Sequence, residues 1–169
     1  GASGIVGFLM IIGGALNVMA ETGAINGALG HVVTKVKGRE MLLIPVMLTI
    51  MTCLSTFAGC SEEYIAFVPL IMAVSYALGF DSIVAVALPL AAVSGGYGAG
   101  VTNAFTVGVA QSISGLPMFS GIEFRMVMLA VLILINVSYT MWYARKIKKN
   151  PERSYMYDYD QIYRPQMDL

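Results

Sequence analysis

Apolar positions fall into blocks of membrane-span length, and polar ones gather between the blocks. Ser3 to Ala20 is the first block, with Gly4, Gly7, Gly13 and Gly14 inside it. At about 1.5 Å per residue it nearly crosses a ~30 Å hydrocarbon core, giving a span over 3–20. In the stretch that follows, Ile25, Leu29, Val32, Val33 and Val36 repeat at helical spacing. Asn26, His31, Thr34, Lys35 and Lys37 lie largely off that face. That pattern predicts an amphipathic helix on the membrane surface over 22–38. Met41 to Gly59 and Glu62 to Gly79 are two helical runs joined by Gly59-Cys60-Ser61, a helical hairpin over 41–79. Gly79-Phe80-Asp81-Ser82 is the next turn. A last span over 122–145 is flanked by Arg125 and Arg145, and a polar, tyrosine-rich tail over 150–169 is expected outside the bilayer.

The run from Ser82 to Ile122 carries no charge. A straight helix from Ser82 to Ser114 would be about 50 Å long, too long for one crossing. Splitting it at Gly95-Gly96-Tyr97-Gly98-Ala99-Gly100 leaves a first piece of about 20 Å, too short to span alone. One crossing by a broken helix over 82–114 resolves this. Such a break is tolerated in a membrane where its freed backbone groups line a cavity or are buried in protein. Pro89 predicts a kink, and Gly115-Leu116-Pro117 with Ser120-Gly121 marks a loop.

Composition agrees with the pattern. The 169 residues are 57% hydrophobic and 12% charged, half the roughly 25% charge of a soluble domain. The net charge is zero, but Lys35, Lys37 and Arg39 form one basic cluster, and Arg145, Lys146, Lys148, Lys149 and Arg153 another. The positive-inside rule puts both clusters, and the tail, on the cytoplasmic side of a bacterial inner membrane. The parity of crossings works with either a spanning or a re-entrant hairpin. The chain opens at Gly1 on apolar residues without the basic start of a signal peptide, which suggests a piece of a longer or processed protein. Cys53 and Cys60 are expected on one helix face about 10 Å apart, too far for a disulfide. No cysteine–histidine metal spacing and no Ser-His-Asp arrangement stands out, so neither an enzyme nor a cofactor is expected. No basic run interleaves with aromatics, which argues against nucleic acid.

The candidate chemistry sits at two places. Glu62 and Glu63 lie side by side between uncharged runs, where carboxylates are costly unless compensated. Ser61 is a candidate N-cap, with both glutamates in the first turn that follows. One reading is two full spans with an acidic turn in external water, and composition leans that way. The other is a re-entrant hairpin whose tip, with its carboxylates, faces a substrate cavity. The second place is Gly98-Ala99-Gly100-Val101-Thr102-Asn103-Ala104-Phe105-Thr106. There Gly98 and Gly100 permit unwinding, and Thr102, Asn103 and Thr106 offer neutral polar groups to an ion or a carboxylate. The competing account is packing, since Gly96 and Gly100 form a G-x-x-x-G pair. The helix length favours the break. Gln111, Ser112 and Ser114 either extend the polar face or mark the helix end. No Lys-Ser/Thr follows the glycines, so a P-loop is not supported.

These strings resemble one half of a transporter of the ion transporter superfamily, most closely the four-carbon dicarboxylate anaerobic carrier family, YfcC-type branch. The resemblance rests on Thr22-Gly23-Ala24-Ile25, Glu62-Glu63, Gly79-Phe80-Asp81-Ser82-Ile83-Val84, Thr102 through Gln111, Gly115-Leu116-Pro117 and Phe119-Ser120-Gly121. Ala104 departs from the family pattern, which has proline after the asparagine. The resemblance implies an all-α polytopic membrane protein of two inverted repeats, each giving a re-entrant hairpin tip and a broken helix to a midplane site. This chain resembles part of the first repeat, with residues 1–149 as the transporter half. Dicarboxylate symporters of the superfamily carry Ser-Asn-Thr at the hairpin tip, where this chain has Cys60-Ser61-Glu62-Glu63.

The resulting expectation is a secondary active transporter working by alternating access. Its cargo is a four-carbon dicarboxylate or a basic amino acid such as arginine or ornithine. Two carboxylates suit an amino group or proton coupling, and would repel a dicarboxylate unless protonated or paired with a cation. The coupling ion is H+ or Na+. The expected partners are the bilayer, the small-molecule substrate and a second repeat from the same protein or a partner chain, with a homodimer among the options. The alternative is a non-transporting membrane subunit or scaffold.

Overall fold

The computed structural model describes residues 38–164, together with Met10, Ile11, Gly14, Ala15, Val18 and Thr22. The expected span 3–20 and amphipathic helix 22–38 lie largely outside the described residues. From Gly38 onward the regular structure is helical throughout. Helix α1 is Glu40–Phe57, α2 is Glu63–Ala77 and α3 is Ser82–Ala99. A π-helical turn, Ala104–Gly108, leads directly into α4, Val109–Ser114. Helix α5 is Ile122–Lys149, followed by a 3-10 turn, Pro151–Arg153, and a short α6, Tyr157–Tyr163.

Among the described residues, three helical stretches are long and apolar enough to cross a bilayer: Glu40–Phe57, Ser82–Ser114 and Ile122–Lys149. Glu63–Ala77 is apolar but shorter. Leucine, isoleucine, valine and methionine dominate Glu40–Phe57, whereas Ser82–Ser114 is rich in alanine and glycine. Pro45, Pro69 and Pro89 lie inside α1, α2 and α3, and each removes a backbone donor from its ladder.

The chain divides into two units, each described here by itself. The first comprises Gly1–Glu40, Glu62–Val86 and Ala144–Leu169. Within it α2 ends in a Schellman motif: Phe80 N donates to Ser75 O at 2.8 Å and Gly79 N to Tyr76 O at 3.0 Å. Gly79 supplies the left-handed residue, at φ +81°. This turn anchors the C-terminal segment. Asp81 accepts from Val84 N at 2.9 Å and from the Ser154 hydroxyl at 2.6 Å. Asp160 accepts from the Tyr76 hydroxyl at 2.8 Å and from Ser82 N at 3.1 Å. Arg164 donates to Phe80 O at 2.8 Å. Residues 150–164 are therefore folded onto the α2–α3 turn, which their polar composition did not announce. Lys148 pairs with Glu40 at 3.1 Å and lies over the Phe80 ring at 5.3 Å. The start of α1, the α2–α3 turn and the end of α5 thus meet in one unit.

The second unit comprises Met41–Ser61 and Ala87–Tyr143. Here α3 lies against α1 at Gly96, where an added Cβ would strike Ser55 Cβ, would lie 2.8 Å from Thr52 O and 3.0 Å from Thr56 N. No other residue fits so close to a neighbouring backbone. Asn136 of α5 donates to Ala91 O at 2.9 Å, and Leu132 and Ile133 pack on a core of Ala99, Val101 and Leu129. Gln111 holds the 115–121 loop. Its Nε2 donates to Ser120 O at 2.9 Å, and its Oε1 accepts from Phe119 N.

Gly95, Gly96 and Gly98 remain helical, so within the glycine run it is the last residue, Gly100, at which the interruption begins. The reason is the Gly96 contact, where the missing side chain serves packing, not unwinding. Glu62 precedes α2 in right-handed helical geometry, at φ −64°, ψ −29°, and its side chain makes no cap hydrogen bond. A side-chain cap needs an extended residue there. Against expectation, Cys60 lies beyond the end of α1 and does not share a helix face with Cys53, and no disulfide joins the two.

Candidate functional site: a helix end and a helix break that cap each other

Every helix leaves its last four carbonyls without an internal partner. In α1 these belong to Leu54, Ser55, Thr56 and Phe57. Leu54 O accepts from Ala58 N at 2.9 Å within the turn itself. The other three are met by the interruption after α3. Asn103 Nδ2 donates to Ser55 O at 3.0 Å. Thr102 N donates to Thr56 O and Thr102 Oγ1 to Phe57 O, each at 3.3 Å.

The donors freed by the interruption are met in turn. Val101 N donates to Thr56 Oγ1 at 2.9 Å. Asn103, extended at ψ 113°, caps the resumed helix, its Oδ1 accepting from Phe105 N at 2.9 Å and Thr106 N at 3.2 Å. Gly108 N reaches back five residues to Asn103 O at 3.1 Å, the signature of the π turn. The hairpin turn is tied in as well: Tyr97 donates its hydroxyl to Gly59 O at 2.7 Å, and Ser55 Oγ donates to Cys60 O at 2.8 Å. Two pieces of irregular backbone in an apolar chain thus satisfy each other's polar groups. Open positions in a hydrocarbon medium would cost several kcal/mol per group, as an order of magnitude.

Gly100 makes the bend possible. It sits at φ +50°, and a Cβ there would lie 3.0 Å from Thr106 Oγ1 and 3.1 Å from Val107 Cγ2. Thr106 Oγ1 is buried and has no hydrogen-bond partner. Among the polar side chains at the interruption it is the one left with unused capacity for a ligand, because Thr102 and Asn103 are engaged in holding the backbone.

The sequence-derived candidates therefore separate. Gly98, Gly100, Thr102, Asn103, Thr106 and Ser61 fall in the second unit. Gly100, Thr102, Asn103 and Thr106 come together at the interruption, whereas Gly98 is an ordinary helical position whose Cβ would meet only Leu132 Cδ1 at 3.5 Å. Glu62 and Glu63 open α2 in the first unit, Glu62 exposed and Glu63 half-buried. Sequence reasoning passed over Ser55, Thr56 and Tyr97. The available signal was a Ser-Thr pair one turn before a glycine, at the end of an apolar helix. No cluster of three His, Cys, Asp or Glu side chains stands together among the described residues.

A family model described as C4-dicarboxylate anaerobic carrier, DcuC, matches residues 1–168. The chain belongs to the DcuC family. It is a bacterial, multi-pass membrane protein with an all-α fold. It is 34% identical over 163 residues to a protein of Escherichia coli (strain K12) named "Putative basic amino acid antiporter YfcC", covering 96% of this chain and 32% of that one. It is 35% identical over 151 residues to an uncharacterized protein of Haemophilus influenzae (strain ATCC 51907 / DSM 11121 / KW20 / Rd), covering 89% of this chain and 30% of that one. The DcuC-family chain thus spans about a third of the length of these relatives. No solved structure matches it.

Proposed function

We propose that the carrier containing this chain is a secondary active transporter of basic amino acids, working by alternating access. The observation that carries the reading is the pairing of the α1 end with the interruption after α3. Non-helical backbone at membrane depth is tolerated where it is buried in protein or lines a cavity, and transporters of inverted-repeat type place their sites at such discontinuous helices. In this reading Ser82–Ser114 is a broken transmembrane helix. Helix α2, about 22 Å long, belongs to a re-entrant hairpin. Thr106 contacts the substrate or a coupling ion, H+ or Na+. Thr102 and Asn103 hold the frame, and Glu62 and Glu63 bind a cationic group or exchange protons.

Membership of the DcuC family supports transport, and the adjacent carboxylates favour a cationic cargo, in line with the name of the Escherichia coli relative. The basic cluster after Tyr143 supports a cytoplasmic position for the first unit's junction and the tail. A second repeat completes the site. The family description favours a second reading, in which a four-carbon dicarboxylate is carried and the glutamates are proton sites or helix-start charges.

Uptake into proteoliposomes of the complete carrier separates the two. Labelled arginine and labelled succinate are offered with and without a proton gradient. Arginine flux that disappears in Glu62→Gln/Glu63→Gln is the expected result. Succinate flux unaffected by that variant would replace the first reading with the second, and flux of neither would overturn both substrate assignments.

A further inference from the structure

We propose that the first unit holds a separate site for an organic ammonium ion, walled by Tyr76, Tyr159 and Tyr163 with Asp160 as counter-ion. These side chains line an open cavity of about 510 Å³, with Met72 and Met156 also in its lining. Its chemistry is that of a cation cage: aromatic faces attract an alkylammonium through the ring quadrupole, and a carboxylate supplies the charge.

Two observations point to a ligand. Asp160 is only 8% exposed, yet its partners are neutral, the Tyr76 hydroxyl at 2.8 Å and Ser82 N at 3.1 Å. No cationic side chain lies within ion-pair distance of it among the described residues, and a buried carboxylate without a cation is an uncommon arrangement. The second is Ser82, 8% exposed and lining the same cavity, whose hydroxyl lies beside that of Tyr76 and keeps acceptor capacity. It is available to an N–H donor.

Arg164 shows what the wall accepts. Its guanidinium lies 5.4 Å from the Tyr76 ring centroid. It is committed there, donating to Phe80 O at 2.8 Å. The Tyr159 and Tyr163 rings are exposed, carry no cation from the described residues, and remain for a second one. The site is independent of the transport reading, since it uses none of the residues assigned to that pathway.

The test uses tetramethylammonium and n-butylammonium binding to the complete carrier in nanodiscs, followed by saturation-transfer NMR with sodium as competitor. Two variants are compared with the parent. Asp160→Asn removes the charge. Tyr159→Ala/Tyr163→Ala removes two walls but none of the hydrogen bonds that dock the tail. Both variants are expected to weaken ammonium binding at least tenfold (about 1.4 kcal/mol), with sodium competing poorly. Protease protection of residues 150–164 stays unchanged in the tyrosine variant, so its loss of binding reports the cage and not a released tail. Ammonium binding that survives the tyrosine variant, that sodium displaces at equal concentration, or that vanishes instead in Glu62→Gln/Glu63→Gln would overturn the proposal.

Discussion

Asn103 reaches 48 positions back along the chain to donate its side-chain amide to the carbonyl of Ser55. The same side chain accepts from Phe105 N and Thr106 N, so one fully buried residue closes the end of α1 and opens the helix that follows. Replacing Asn103 by alanine removes an N-cap worth ~1 kcal/mol. It also strands the Ser55 carbonyl, at about 1–3 kcal/mol. The expected loss for Asn103→Ala is therefore roughly 2–4 kcal/mol, seen as a lower unfolding temperature of the purified carrier. Asn103→Asp keeps the acceptor and loses the donor, and falls in between. An alanine variant that melts with the parent would remove the mutual-capping account.

Gly96 and Gly98 make a matched pair. A methyl at 96 meets Ser55 and the α1 backbone, and overpacking of this kind costs about 1–3 kcal/mol. A methyl at 98 meets only Leu132 at ordinary contact distance. There alanine gains the helix-propensity difference, roughly 0.5–1 kcal/mol. Thermal unfolding of Gly96→Ala and Gly98→Ala should move in opposite directions. Equal shifts would mean that the contact of α3 with α1 is not where it is placed here.

Thr106→Val separates a structural hydroxyl from a working one. The hydroxyl has no protein partner, so stability should be unchanged or slightly raised. Transport should nonetheless fall, because the group left free is the one offered to substrate or ion. Full transport in Thr106→Val would take Thr106 out of the pathway.

Asp160→Ala strips acceptors from the Tyr76 hydroxyl and Ser82 N. Each stranded donor costs on the order of 1–3 kcal/mol if it stays buried. The C-terminal segment should come away first, exposing 150–164 to limited proteolysis well below the global unfolding temperature. Ser154→Ala, which breaks one bond to Asp81, should have the same effect to a smaller degree. Unchanged protection in Asp160→Ala would show that the tail is held by something other than these bonds.

Much of the helix plan was legible, because uncharged runs of span length have few other uses. The hairpin limits follow from Gly59 and Gly79, and the last helix from the apolar run between Arg125 and Arg145. The run in which the interruption falls was legible, but not the residue at which it begins. A glycine run permits bending along its length, and only the packing of Gly96 on α1 decides which part stays helical. The Asn103 string is where the helix resumes after the interruption. Its partners, the carbonyls at the end of α1, carry no side-chain signature, since a backbone acceptor looks the same at every position. The docking of the tail was hidden for a related reason. Asp160 meets Tyr76 and Ser82 across separations of 84 and 78 positions, and no local pattern encodes such a meeting.

The mutual capping has a mechanical consequence. Sliding the end of α1 past the interruption would expose three carbonyls and their donors together, with no water to receive them. A joint with that penalty acts as a weld rather than a bearing. The Gly96 seam adds a second weld between the same elements. In the proposed transport cycle α1 and the segment around Asn103 would therefore move as a single casting, with the hinges elsewhere.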